Sequence, residues 1–538
     1  MLVRWFRPAP AEHGIVERRD LLALGLIVWP VCALIAGWQY DWSLPEGVRA
    51  LHGDLGYAVQ LSLGLPEAQA STQWAATLGS EASADVWYHW APVWLAAGLG
   101  KMTGLPGMVL MYRIVVAALT FALLLLAAAL VRRLSGMRTF PALLAGAGSL
   151  VGVQWIKMFG VLWLSPWLPF GTLQHSRLSL LGQFSYQFEA MVVLMAITAW
   201  QFRQRGLAAL LLYFAGLSSP HNVAVMGVAA ATLFVLGVLL RRRHLWQPAA
   251  VMVLLLLAAW GTVKWVFHVD LPKAAEQSLF VFDGSILWGR VRAGILDAGV
   301  GLLLEALLLP GLVHLIRQKE RPEAAALGWL ALSALVGSYL AYHLLRHVSD
   351  SFHFTMLAHA TLVMPVSLWG LACLWQRSTG ARRPLYAAVA ALSVLMGMHD
   401  LWHARSRDKA LPYAMEDIGR VRDTLAGRPF GYFTDSDRQW WISKHGTLAS
   451  FLEARCVRLN GIPAVDGDQH SQYYGAARPR ELVPQQPGET AHDWSLRLAR
   501  QLSIHHLLET DSDLLPADLK PRLRLVCAGK TLRLYELP

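Results

Sequence analysis

Apolar runs of membrane-spanning length recur along about the first 400 residues of this chain. One helix needs about 20 predominantly apolar residues to cross the hydrocarbon core of a bilayer. Such runs lie at 21–40, 108–131, 140–162, 187–202, 207–219, 222–240, 248–267, 293–316, 324–345, 354–376 and 385–400. The chain is 55% hydrophobic and 15% charged, which excludes an ordinary globular protein and a disordered one. The runs predict an all-α polytopic membrane protein with about 11 transmembrane helices.

The positive charges predict how such a helical domain is oriented. The net charge of +11 is concentrated in short basic clusters in every second connection between the runs. The clusters are Arg18-Arg19, Arg132-Arg133 with Arg138, Arg203 with Arg205, Arg241-Arg242-Arg243, Arg317-Lys319-Arg321 and Arg377 with Arg382-Arg383. This bias predicts an inner-membrane protein with a cytoplasmic N-terminus and an extracytoplasmic C-terminus. Because the clusters are short and flank lipid-length runs, we expect no nucleic-acid partner.

The composition changes after His403, and this change divides the chain into a transmembrane domain, 1–403, and a small water-facing domain, 404–538. Within 404–538 the spacing of apolar residues predicts an α/β fold. The predicted helices are 411–425, 437–452 and 494–502, and the predicted strands are 429–434, 504–508, 523–527 and 532–537. Cys456 and Cys527 share this domain and could form a disulfide, although their spacing alone cannot establish the geometry.

The long loop between the first two runs, 41–107, carries two polar and aromatic motifs. These are Gly53–Tyr57, with the sequence GDLGY, and Asp85–Pro92, with the sequence DVWYHWAP. Their order and the Arg113 that follows resemble the first outer loop of the GT-C superfamily, the integral-membrane glycosyltransferases that use polyprenyl-phosphate sugars. This chain has Leu55 where the family commonly places the second acid of an Asp-Glu pair. The resemblance implies a GT-C-like fold over the helical domain.

The same resemblance implies a role for Asp54. Transfer of a sugar from a lipid phosphate to a hydroxyl needs a base and stabilisation of the departing phosphate. Asp54 is the candidate base, with Tyr57 and His89 shaping the substrate pocket. The alternative is a turn residue, because Gly-Asp pairs commonly form turns. Asp41 and Asp85 are the other acids of the loop that could act as the base.

Cations must receive the anionic leaving group, and few of them fall in the connections predicted to be outside. The candidates for substrate binding are Lys273, Arg290 and Arg346 with the adjacent His347. An arginine can hold a phosphate bidentately, whereas the alternative is an arginine whose side chain extends to the lipid headgroups. His221, in a Ser-Ser-Pro-His-Asn connection, is a further candidate that is otherwise a turn residue.

Histidines are numerous in the outer connections, which makes a divalent metal ion a candidate cofactor, since it could neutralise the phosphate. Only His343 and His347 have a ligand-like i, i+4 spacing on a predicted helix, and interfacial histidines are more often polar groups with hydrogen-bond partners. Glu305, within the run 293–316, is either an intramembrane functional acid or a hydrogen-bonded packing residue.

We therefore predict a membrane glycosyltransferase that moves a sugar from a polyprenyl-phosphate donor to an extracytoplasmic glycan, lipid or protein, with inversion at the anomeric carbon. Two other functions are open. A flippase or transporter of lipid-linked saccharides would need polar residues that continue along facing helices to the cytoplasmic side. A non-catalytic scaffold of envelope assembly would use the C-terminal domain for docking and would tolerate loss of Asp54.

Overall fold

The computed structural model describes most of the predicted helical domain and most of the C-terminal domain. The described residues are 43–44, 47–49, 90–105, 110, 114–152, 184–266, 284–318, 320–344, 352–407, 410–411, 413–433, 448–449, 451–454, 456–459, 485–511 and 514–538. The predicted first span, 21–40, lies outside them.

The described part of the helical domain consists of helices. They are α1 (Trp90–Thr103), α2 (Val116–Ser135), α3 (Thr139–Val151), α4 (Phe184–Gln201), α5 (Arg205–Ser218), α6 (Pro220–Leu239), α7 (Arg243–Gly261), α8 (Gly284–Leu304), α9 (Leu309–Ile316), α10 (Pro322–Leu344), α11 (Phe352–Ala358), α12 (Met364–Arg377) and α13 (Arg382–Arg407). A π-helical segment, Thr262–Val266, extends α7, and another, His359–Val363, joins α11 to α12.

Four described segments are long and apolar enough to cross a membrane, and this confirms the membrane character of the chain. They are Val116–Ser135, Asn222–Leu239, Arg243–Val266 and Pro322–Leu344. Two further apolar helices, α3 and α5, are shorter. Helix α8 differs from these because Arg290, Arg292 and Asp297 interrupt its apolar surface. The total of about 11 spans stays a prediction.

The chain divides into two compact units, which are described separately. The first contains the helical structure from Ala118 to Ala404. The second contains β1 (Ser43–Leu44), β2 (Gly47–Arg49), α1 and the described residues from Arg405 onward. In this second unit β2 pairs antiparallel with β1 and with β3 (Ala410–Leu411), so part of the loop 41–107 forms a sheet with the start of the C-terminal region. Strands of two or three residues leave no periodic signal in a sequence.

The predicted single span 293–316 is wrong in one respect, because it forms two helices. Helix α8 ends at Leu304 and α9 begins at Leu309, with the turn Glu305–Leu308 between them. Pro310 explains the break: it has no N–H group, and its ring disfavours a continuous helix through the preceding turn. Close helix contact resumes where Gly311 of α9 meets Gly370 of α12, since a Cβ on Gly370 would lie 2.0 Å from the Gly311 carbonyl oxygen.

Basic connections are tied together at one end of the helical unit, which we call the basic end. Arg321, in the turn before α10, donates to the Leu134 carbonyl near the end of α2 at 2.9 Å. Arg203, in the turn between α4 and α5, contacts Glu323 in the first turn of α10 at 3.1 Å. Because α10 begins at the basic end, its last residue, Leu344, marks the opposite end.

The C-terminal region forms the small α/β fold that the sequence predicts. Helices α14 (Met415–Leu425) and α15 (Ala491–Gln501) accompany a sheet of β4 (Phe430–Tyr432), β5 (Cys456–Arg458), β6 (His506–Thr510), β7 (Arg524–Ala528) and β8 (Leu532–Glu536). The strand order is β5-β4-β6-β8-β7, with β5, β4 and β6 parallel and the remaining pairs antiparallel. Trp494, Leu498 and Leu507 are among the residues of its apolar core.

A disulfide between Cys456 and Cys527 is excluded by this strand order, and neither cysteine is disulfide-bonded. Cys456 lies on β5 and Cys527 on β7, which are the two edge strands of the sheet. Four inter-strand steps of about 4.8 Å separate these edges, a distance far beyond the reach of a disulfide.

Glu509 on β6 is the buried ionic centre of this domain. Its side chain is fully buried and forms ion pairs with Lys520 and with Arg533 of β8, while Tyr535 donates to it at 3.0 Å. Burial alone would raise the pKa of the Glu509 carboxyl, but the hydrogen bonds from Lys520 and Tyr535 outweigh it and bring the pKa below its ordinary value. The domain therefore holds Glu509 in its ionised form.

We expect Glu509→Gln to lower the free energy of local opening of β6 by about 2 kcal/mol, because it removes hydrogen bonds to a charged group. A lowered carboxyl pKa contributes stability above the ordinary value of 4.5 that is lost as the pH falls through the folded-state pKa. Hydrogen exchange of β6 in the full-length protein, measured from pH 7 down, should show this loss in the wild type and not in the variant.

Glu536→Gln is the control, since Glu536 pairs with Arg524 at the exposed edge of the sheet. Its effect should be clearly smaller than that of Glu509→Gln, because solvent screens an exposed ion pair. Equal effects of the two substitutions would contradict a central role for Glu509.

Candidate functional site

The described residues include only part of the predicted site. Asp54, Tyr57, His89, Lys273, Arg346 and His347, together with Asp41 and Asp85, lie outside them. Their roles therefore stay predictions. For His221 only the backbone is described: it lies in the first turn of α6, two residues after Ser219, the extended residue that follows α5.

Arg290 is the predicted site residue whose side chain is described. It lies near the start of α8, and its Nη1 donates to the carbonyl of Leu344 at 3.3 Å. Leu344 is the last residue of α10, and a cation at a helix C-terminus is stabilised by the carbonyl groups there. The contact holds a guanidinium at the end of α10 that lies opposite the basic end.

A carboxylate–imidazole pair joins α8 and α10 close to this point. His343 Nε2 donates to Asp297 Oδ2 at 2.6 Å, and the two side chains are 13% and 8% exposed. The Tyr342 ring packs edge-on against the imidazole, with 5.0 Å between the ring centroids. The pair is thus largely buried and its hydrogen bond is short, yet the imidazole keeps part of its surface accessible.

A second pair of the same chemistry lies deeper in the helical unit. His359 Nδ1 donates to Glu305 Oε1 at 3.1 Å, and these side chains are only 5% and 1% exposed. His359 begins the π-helical segment, and the Tyr339 ring packs edge-on against it. Gly301 makes room for that ring, since a Cβ there would lie 2.6 Å from a Tyr339 ring carbon. The hydrogen bond shows the paired packing role that the sequence left open for Glu305.

Arg290, Asp297 and Glu305 share one face of α8 and its continuation, which we call the polar stripe. Their spacings of seven and eight residues correspond to about two helical turns each. The stripe faces α10 through Asp297 and the π-helical segment through Glu305. Beyond Glu305 the packing is apolar, with Leu308 against Met364 and Leu368. The polar stripe therefore runs from the end of α8 opposite the basic end and stops at an apolar cluster.

Asp297 is the residue of this arrangement that sequence reasoning missed. It lies in the run 293–316, in which only Glu305 was considered as an intramembrane acid. The available signal was its spacing of seven residues from Arg290, which places both on one helix face. Its pairing with His343 across two helices has no signature in a single sequence.

The described residues show no metal-ligand cluster at this site. No group of three His, Cys, Asp or Glu residues in the described ranges is arranged to hold a metal ion. An apolar cavity of about 50 Å³ lies elsewhere, between α4, α5, α6, α7 and α10, with Trp200, Leu212 and Pro248 in its wall. Its walls carry no charged side chain, so it is unsuited to sugar-phosphate chemistry.

Comparison with known proteins gives distant structural likenesses. No protein-family model matches the chain, and no curated protein matches it. The crystal structure of the Archaeoglobus fulgidus oligosaccharyltransferase in its apo form aligns over 90% of this chain and 69% of that one, with 11% identity and a TM-score of 0.43. The crystal structure of the same enzyme in complex with Zn and sulfate aligns over 90% of this chain and 68% of that one, with 11% identity and a TM-score of 0.42. These scores are too low to establish a shared fold or activity.

The deep pair yields a test of its energetic role. We expect His359→Leu to destabilise the helical unit by about 3–5 kcal/mol, because it removes the imidazole from a buried carboxylate. The double variant Glu305→Leu/His359→Leu should be less destabilised than His359→Leu alone, since neither charged partner remains. Thermal unfolding of the full-length protein in detergent measures both. Additive losses would show that the two side chains act independently.

Proposed function

We propose that this chain is a membrane glycosyltransferase that transfers a sugar from a polyprenyl-phosphate donor to an extracytoplasmic acceptor. The observation that carries the proposal is the position of Arg290, held at the end of α10 opposite the basic end. The connections 267–283 and 345–351, which contain Lys273, Arg346 and His347, leave α8 and α10 at these neighbouring ends. In this proposal the cations of these two connections join Arg290 in receiving the phosphate.

The reaction proceeds as a single displacement in this proposal. The acceptor hydroxyl oxygen bonds to the anomeric carbon while the bond from that carbon to the phosphate oxygen breaks, with inversion. Asp54 takes the hydroxyl proton, and the departing polyprenyl phosphate keeps the bonding electron pair. Arg290, with Lys273 and Arg346, stabilises the negative charge that develops on the phosphate. His347 and His221 contribute to the pocket, and Tyr57 and His89 shape it.

The predicted surroundings belong to the same proposal. The protein lies in the inner membrane with the basic end cytoplasmic, and the α/β domain is extracytoplasmic and positions the acceptor. The acceptor is a glycan, a lipid or a protein. A divalent cation near Asp54 would add further neutralisation of the phosphate, but no step above depends on it.

The polar stripe argues against the alternative function of a transporter. A transported saccharide needs polar contacts along the whole path, and in the described helices the stripe stops where Leu308, Met364 and Leu368 pack together. A polar stripe that does not continue past this cluster favours an enzyme that binds its substrates from one side. An assembly scaffold remains the second alternative, and loss of Asp54 distinguishes it.

We expect Asp54→Asn to abolish the surface glycan or glycosylated product of the host, because an amide cannot accept the acceptor's proton. The amount of protein in the membrane, measured on immunoblots, should be unchanged. Asp41→Asn and Asp85→Asn are matched controls from the same loop. Retained product in Asp54→Asn, at normal abundance, would exclude the catalytic role and favour the scaffold.

Arg290→Gln should lower transfer by about tenfold or more, since a charge-assisted hydrogen bond to phosphate contributes about 1.5–3 kcal/mol. Arg292→Gln is the matched control, because Arg292 is an exposed arginine on the same helix. Initial rates with membranes containing equal amounts of each variant provide the measurement. Equal losses in both variants would show that Arg290 contributes only positive charge and makes no specific hydrogen bond to the phosphate.

A further inference from the structure

The Asp297–His343 pair fixes which nitrogen of the imidazole can meet a ligand. The Asp297 carboxylate accepts the Nε2–H of His343 at 2.6 Å. Nδ1 is therefore the ring nitrogen that remains for a ligand. A carboxylate that orients a histidine in this way recurs where the second nitrogen acts on a substrate or ligand.

Accessibility separates this pair from the deeper one. The His343 side chain is 13% exposed, whereas that of His359 is 5% exposed and its Nε2 atom is buried. Both histidines have a carboxylate partner, so the chemistry is the same and the exposure differs. A ligand that enters from the end of α10 can reach His343, while His359 is enclosed by its neighbours.

The position of His343 at the end of α10 indicates which class of ligand it binds. His343 is followed directly by Leu344, whose carbonyl holds the Arg290 guanidinium. Arg290 thus contacts the residue that follows His343. A guanidinium and an imidazole nitrogen at the same end of one helix pair suit a phosphate, which accepts hydrogen bonds and carries negative charge.

We propose that His343, oriented by Asp297, binds the phosphate of a polyprenyl-phosphate lipid together with Arg290. This inference rests on the proposed function, in which such a lipid is the donor, and adds two residues to it. Asp297 is a positioning residue, because it acts only through the imidazole. The alternative is that His343 merely ties α10 to α8, with Arg290 capping the helix end.

The test uses the purified full-length protein and two probes of equal chain length, farnesyl phosphate and farnesol. Their affinities, measured in the same detergent by quenching of tryptophan fluorescence, give the preference for the phosphate. We expect the wild type to bind farnesyl phosphate at least about tenfold more tightly than farnesol, and His343→Gln to lose most of this preference. His359→Gln, in the enclosed pair, is the matched control and should keep it.

A comparison of His343→Asn with His343→Gln separates ligand binding from a purely structural role. An Asn amide occupies the position of Nδ1, whereas a Gln amide reaches the position of Nε2 and can still contact Asp297. Phosphate binding by His343 therefore predicts more residual preference in the Asn variant. Asp297→Asn should reduce the preference less than His343→Gln does.

Three results would overturn the inference: a wild type without preference for the phosphate, a His343→Gln variant that keeps it, or a Gln variant that keeps more than the Asn variant. These outcomes are distinct from failure of the proposed function. Loss of product in Asp54→Asn together with unchanged binding in His343→Gln would leave the transferase standing without this site. The expected binding results together with retained product would leave a phosphate site without the transferase.

Discussion

The close contact of α8 with α10 is the constraint on which the rest of the helical unit depends. Gly301 lets the Tyr339 ring lie directly against the α8 backbone, and this approach brings Asp297 within 2.6 Å of His343. The same contact places Arg290 at the Leu344 carbonyl. A bulkier residue at position 301 would separate the helices and break all three relations together. Packing therefore comes first, and the polar groups occupy positions that the packing defines.

Buried ionisable groups on these helices are paired, which follows from the cost of removing a charge from water. A lone carboxylate in a medium of low polarity loses several kcal/mol of hydration, and a hydrogen-bonded imidazole offsets part of this loss. Asp297 and Glu305 each have such a partner on a neighbouring element. Glu509 shows the same principle in the C-terminal domain, where Lys520 and Arg533 supply the positive charge.

The sequence predicts what depends on local pattern and misses what depends on partners distant in the chain. Lipid-length runs correctly indicate α2, α6, α7 and α10, because composition and length alone determine whether a helix can span a membrane. Alternation likewise predicts β7 and β8 to within a residue. The end of α8 at Leu304 is not predicted, because an apolar run has the same composition whether it forms one helix or two helices divided near a proline such as Pro310. Cys456 cannot form a disulfide with Cys527 because of the strand order, which no spacing in the sequence reveals.

The two carboxylate–imidazole pairs show why a site cannot be assigned from residue types. In the sequence Glu305 is the stronger candidate for an intramembrane functional acid, since it lies in the middle of an apolar run, whereas Asp297 lies near the start of that run. The fold reverses this order. Glu305 and His359 are enclosed beside an apolar cluster, where their hydrogen bond stabilises the bundle. Asp297 and His343 lie nearer the end of α10 at which Arg290 contacts Leu344, and the His343 imidazole keeps part of its surface accessible. Depth along one helix face, and not the chemistry of the pair, decides which of the two can take part in a reaction.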